Sequence, residues 1–156
     1  MQLLLLAAML IPALLFLLSQ QNTLKAIKQE NRRFHPGLVW LQLIPLFGQI
    51  WQFVVVSRIA DAIKSEIAFR QEDTIFGVAD ASAVAEMGKR PTFAIGMAYC
   101  ILITIGVILQ FKTNYRVSDY QWVIMIGPLF SLSGMICWII YWVKLAQYKT
   151  KLVQIA

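Results

Sequence analysis

Four long stretches of this chain, residues 2–19, 37–56, 92–111 and 122–143, contain no Asp, Glu, Lys or Arg. All the charge is confined to the connectors between them. An ionised side chain in hydrocarbon costs at least about 3 kcal/mol, so this sorting is what a chain with lipid as its main solvent requires. About 18 apolar residues in a helix cross a hydrocarbon core of about 30 Å, and each stretch is long enough. With 59% hydrophobic residues and a mean hydropathy of +0.66, the chain has more apolar surface than one small soluble core would bury. The predicted fold is all-α, an integral membrane bundle of four hydrophobic helices forming one domain over residues 1–156. The second helix is broken by a proline and prolonged as an amphipathic helix, and residues 57–91 make an extramembrane helical segment.

Residues 2–19 lack a basic leader and a small-residue cleavage site, so they read as a retained anchor rather than a secretory signal, with Pro12 a mild kink. The connector from Gln20 is expected to stay helical to Phe34, because Pro36 disfavours helix at His35. Beyond Ser57, Ile59, Ile63 and Ile67 recur every four residues, while Arg58, Asp61, Lys64 and Glu66 take other directions. That pattern suits the headgroup layer, a partner helix, or a solvated helix with a modest apolar seam. Asp80 and Gly88 are expected to bound a short helix. Tyr115, Tyr120, Trp122, Tyr141, Trp142 and Tyr148 read as interfacial aromatic belts. The stretches "IPLFGQIWQFVVVSRIA" and "GPLFSLSGMICWIIYWVKLA" suggest an internal repeat of proline-containing helices.

The path of residues 37–56 decides the topology. Lys and Arg number four in residues 20–36, five in 57–91, two in 112–121 and three in 144–156. If 37–56 crosses the bilayer, these divide eight against six between the two sides; if it dips and returns, twelve against two. Its length and the repeat favour crossing, whereas the charge count favours return, with Pro45 and Gly48 as the apex. Asn31, Pro36-Gly37, Trp40, Ile44-Pro45 and Trp51 form a segment that is similar to one in an uncharacterised family of small bacterial multi-span membrane proteins, a domain of unknown function. The resemblance spans residues 20–60 and implies a bacterial inner-membrane location; it supplies no activity.

Gln42, Pro45, Gln49 and Gln52 would share one face of a continuous helix, as interhelical hydrogen-bond glue or as the lining of a solute path. Gly96, Cys100 and Thr104 form one small-residue seam, and Gly127, Ser131 and Gly134 a second, closing the monomer or joining it to another chain. Cys100 and Cys137 are expected at similar depth as packing residues, with no disulfide framework. Arg32, Arg33, His35, Arg58, Lys89, Arg90 and Lys144 are the candidates for contact with lipid headgroups, and the net charge of +6 fits anionic lipid. The basic residues form no dense stripe of the kind nucleic acid needs.

One histidine supplies no bis-histidine haem site, and the chain has no zinc motif, phosphate loop or nucleophile elbow. The acidic residues Asp61, Glu66, Glu72, Asp73, Asp80, Glu86 and Asp119 read as solvated faces. No cofactor, metal or catalytic residue is expected. The leading expectation is a non-catalytic accessory or scaffold subunit packing against itself or a larger membrane complex; the alternatives are an oligomeric pore lined by the glutamines and a lipid-interacting protein.

Overall fold

The computed structural model describes residues 2–75, 90–115 and 121–154, and within them the side chains of 10–70, 90–110 and 126–153. Among these residues the chain is helical throughout, without a strand. Four α-helices follow in order: α1 (Gln2–Lys25), α2 (Phe47–Ile75), α3 (Phe93–Tyr115) and α4 (Gln121–Gln154). Two short 3-10 helices, Gln29–Asn31 and Pro36–Leu43, lie between α1 and α2. The expected helix bounded by Asp80 and Gly88 lies outside the described residues, as do Lys89 and the side chains of Tyr115, Tyr120 and Trp122.

Two helices are long and apolar enough to cross a membrane, through Phe93–Gln110 and Ile126–Val153, with mean hydropathies of 2.2 and 1.7. Only 22% and 17% of these windows is buried. A core helix of a water-soluble protein would show the reverse. Leu129, Leu132, Ile136, Ile139 and Val143 of α4 are all exposed, as are Ile101 and Ile108 of α3. A contiguous apolar surface of this kind needs an apolar environment.

Residues 37–56 do not form one helix. The chain runs along the 3-10 limb Pro36–Leu43, reverses at Ile44-Pro45-Leu46, and returns along α2. Proline has no N–H to continue a helix and excludes helical backbone from the residue before it, and Ile44 is accordingly extended, with φ −73° and ψ 120°. Leu46 completes the reversal with φ 63°. The Phe47 and Gly48 amides donate to the carbonyls of Pro45 and Ile44, each at 2.7 Å, so the turn closes its own hydrogen bonds. Trp51 Nε1 donates to the Leu38 carbonyl at 2.8 Å, holding the two limbs side by side. Gly48 lies against the Gln42 backbone, where a Cβ would meet the Gln42 carbonyl.

The connector after α1 also departs from expectation, because the helix stops at Lys25 rather than continuing to Phe34. The Arg32 guanidinium donates to the Lys25 and Ile27 carbonyls, both at 2.9 Å, taking up acceptors that a helix end leaves free. Glu66 of α2 then captures the chain: its Oε2 accepts from the Lys28 amide at 3.2 Å and from Asn31 Nδ2 at 2.7 Å. Its Oε1 accepts from Arg70, which also donates to the Leu152 carbonyl of α4 at 2.9 Å. Glu66 is therefore fully buried at the junction of α1, α2 and α4, and not on a solvated face.

Ile59, Ile63 and Ile67 pack with Leu24, Ile27, Leu145 and Leu152 in the chain's own core. Tyr141 belongs to that core as well, not to an interfacial belt, and its ring meets Phe16 and Tyr99. The repeat has no structural counterpart: Pro45 ends a helix, whereas Pro128 sits inside the continuous α4.

α3 and α4 form a tight antiparallel pair. A Cβ on Gly96 would collide with Val56 and Tyr141, one on Gly106 with Ser131, and one on Gly134 with Ile103. Both small-residue seams are thus used within the chain. Gly106 completes them, although only Gly96, Cys100 and Thr104 were singled out on that helix. The same register sets Cys100 level with Cys137, both as free thiols.

Candidate functional site

The hairpin tip, α1, α3 and α4 line an open cavity of about 360 Å³. Ala13 and Phe16 come from α1, Tyr99 and Ile103 from α3, and Met135 and Trp138 from α4. The hairpin adds Gln42, Pro45, Gly48, Gln49 and Gln52. No charged side chain lines it. Its volume falls in the usual range for small-molecule sites, which are mostly apolar with a few placed polar groups.

The glutamines reach this wall by a different route from the one their spacing suggested. Gln42 lies on the 3-10 limb, while Gln49 and Gln52 lie on α2, so no single helix carries all of them. Reversal at Pro45 folds the two limbs around one space. Gln42 Nε2 donates to Gln20 Oε1 at 2.7 Å and to the Val39 carbonyl at 3.1 Å. Gln49 Nε2 donates to Thr104 Oγ1 at 2.9 Å, and that hydroxyl donates to the Cys100 carbonyl at 2.7 Å. These two amides are satisfied and tie the hairpin to α1 and α3.

Other polar atoms are not. On the cavity wall the Tyr99 hydroxyl has the Cys100 thiol, a weak hydrogen-bonding group, as its neighbour, and Gln52 Nε2 is buried without a hydrogen-bond partner. Gln20 Nε2 and the Tyr141 hydroxyl are in the same condition nearby. Leaving a buried donor unmade costs about 1–3 kcal/mol. Gln20 and Tyr99 were not among the residues that the sequence brought forward. Gln20 ends the first apolar stretch as part of "SQQ", a polar signal that was available; Tyr99 is one aromatic in an apolar run and carries none.

Val55, Ile59, Tyr99 and Tyr141 are all 0–2% exposed and belong to the core, with Tyr99 also on the cavity wall. Aromatic edges line its side, with Phe16 against Trp138 at 5.2 Å between centroids and against Tyr99 at 6.2 Å.

The basic candidates gather at one end of the bundle. Arg32 is committed to the end of α1. Arg33 donates to Ser65 at 2.8 Å, and Arg90 pairs with Asp61 at 2.8 Å while its guanidinium lies over the Phe93 ring. His35 accepts from the Gly37 amide through Nδ1 at 3.1 Å, capping the 3-10 limb. Arg58 and Lys144 are exposed. Among the described residues, no cluster of His, Cys, Asp and Glu is arranged to hold a metal.

No family model matches the chain, and no curated protein or solved structure matches it significantly. The reading of function rests on the geometry itself.

Proposed function

We propose that this is a non-catalytic, multi-pass membrane protein with three crossings and one re-entrant hairpin, and that its cavity holds a neutral, hydrogen-bond-accepting amphiphile such as an acylglycerol. The observation that carries the reading is the unpartnered donor Gln52 Nε2, beside the weakly bonded Tyr99 hydroxyl, on the wall of an uncharged cavity. An ester or ketone oxygen would accept from them, and the exposed Leu43, Ile44 and Leu46 at the mouth suit the attached chain. A charged headgroup would find no counter-ion on this wall. With the small-residue seams occupied inside the chain, an accessory-subunit role has no interface of that kind to rest on.

The topology follows from lengths and charge. Eight residues of 3-10 helix rise about 16 Å, roughly half a hydrocarbon core. α1, α3 and α4 cross, and the hairpin enters and leaves on one side. That choice sets twelve of the fourteen Lys and Arg on the cytoplasmic side of what the 20–60 segment implies is a bacterial inner membrane. Re-entrant backbone is tolerated where its polar groups are satisfied, and here the Phe47 and Gly48 amides bond within the turn while the Leu38 carbonyl accepts from Trp51.

Two experiments test these readings separately. In a background without Cys100 and Cys137, Lys28→Cys and Lys64→Cys are expected to react with an impermeant maleimide from the same side of the membrane, and Thr113→Cys from the opposite side. Labelling of 28 and 64 from opposite sides would mean the hairpin crosses. For the ligand, dioctanoylglycerol titrated into the purified protein is expected to shift the emission of Trp138, with Trp138→Phe removing the signal. Gln52→Leu should weaken binding about five- to tenfold, the worth of one hydrogen bond in a dry site. Equal binding of hexadecane, or an unchanged affinity in Gln52→Leu, would refute the hydrogen-bonded ligand.

A further inference from the structure

A second site lies on the face of α2 turned away from the cavity. Phe47, Ile50, Val54, Arg58, Asp61 and Ser65 recur every three or four residues and so form one stripe along the helix. Its first part is apolar and outward-facing, with Phe47 43% and Ile50 71% exposed. At Arg58 the stripe changes to charge and opens into a crevice of about 370 Å³ lined by Arg33, Arg58, Asp61, Lys64, Ser65 and Ala68. Asp61 already has a cationic partner in Arg90, so Arg33, Arg58 and Lys64 leave the crevice positive.

Depth is set by Arg90, which pairs with Asp61 just before the apolar window of α3 opens at Phe93. The crevice is therefore at the level where hydrocarbon gives way to headgroups. We infer that it seats the phosphate of an anionic phospholipid whose acyl chain lies along Val54, Ile50 and Phe47. The site is separate from the amphiphile cavity but depends on the proposed topology, which sets the crevice in the cytoplasmic leaflet. Arg33 is steadied by its bond to Ser65, so one donor group is held in place before the lipid arrives. Arg58 and Lys64 are exposed and reach the phosphate by snorkelling.

The test uses the whole protein in phosphatidylcholine vesicles, with spin-labelled phosphatidylglycerol or spin-labelled phosphatidylcholine as the probe. Immobilised probe is expected to show about a fivefold preference for phosphatidylglycerol that weakens with salt. In Arg58→Gln/Lys64→Gln that preference should fall to below about twofold, with Arg33 the remaining cation of the crevice, and circular dichroism should be unchanged because both substituted side chains are exposed. Asp61→Asn should raise it. An absent preference in the unmodified protein overturns the site, as does a preference that survives the double substitution. Loss of the preference on adding millimolar inorganic phosphate at matched ionic strength also overturns it, since the occupant would then be the free anion. Labelling at positions 28 and 64 distinguishes failure of the site from failure of the topology.

Discussion

Glu66→Ala is expected to cost about 3–5 kcal/mol and to loosen the ends of α1 and α4 from α2. The carboxylate is wholly buried and its partner Arg70 is only 10% exposed, so removing the carboxylate takes the opposite charge from a largely buried guanidinium. Three connections are lost together: to the Lys28 amide, to Asn31, and to Arg70, whose own bond to the Leu152 carbonyl loses its support from the carboxylate. Helix content followed against denaturant in detergent checks the size of the effect. Glu66→Leu/Arg70→Leu should recover part of the loss, because apolar residues of similar volume remove both buried charges at once. The more exposed Asp61–Arg90 pair provides the contrast, since pairs of that kind contribute under about 1 kcal/mol and weaken with salt. Glu66→Ala within about 1 kcal/mol of the unmodified protein would rule out this junction as a structural tie.

Gly48→Ala is expected to cost about 3 kcal/mol, at the upper end for overpacking. The added methyl meets the carbonyl and Cα of Gln42, which are backbone atoms and cannot rotate aside, so the two limbs must separate. The loss should include dioctanoylglycerol binding, because Gly48, Gln42 and Pro45 all shape the cavity. Gly127→Ala is the matched control: its methyl would find only ordinary contact with Leu109 and Gln110, and the expected change is within about 0.5 kcal/mol. Equal stability of the two variants would show that the hairpin does not depend on close approach at Gly48.

The reach of sequence reasoning is clearest where chemistry is local. α3 and α4 begin within one residue of the apolar stretches at 92 and 122, because the helix is the cheapest way for an apolar segment to satisfy its own backbone. The packing of Gly96 and Gly134 follows from small residues at helical spacing. Gly106 lies beyond the seam of Gly96, Cys100 and Thr104, and although Gly48 reads as a turn apex beside Pro45, its close approach to the backbone depends on Gln42 returning beside it.

Which segments avoid charge and prefer an apolar surrounding was determined by the sequence alone, since transfer from water is a property of each side chain in turn. Which segments touch was decided only by the tertiary structure. The same Pro-Leu-Phe reverses the chain at Pro45 and is carried within α4 at Pro128. At the first, Trp51 reaches back to the Leu38 carbonyl and Gly48 accepts the Gln42 backbone; at the second, α3 packs alongside through Gly106 and Ser131. Gln42, Gln49 and Gln52 meet across a cavity for the same reason, and Glu66 leaves solvent because Lys28, Asn31 and Arg70 converge on it. Those energies belong to pairs far apart in the chain, and no local pattern of residues encodes them.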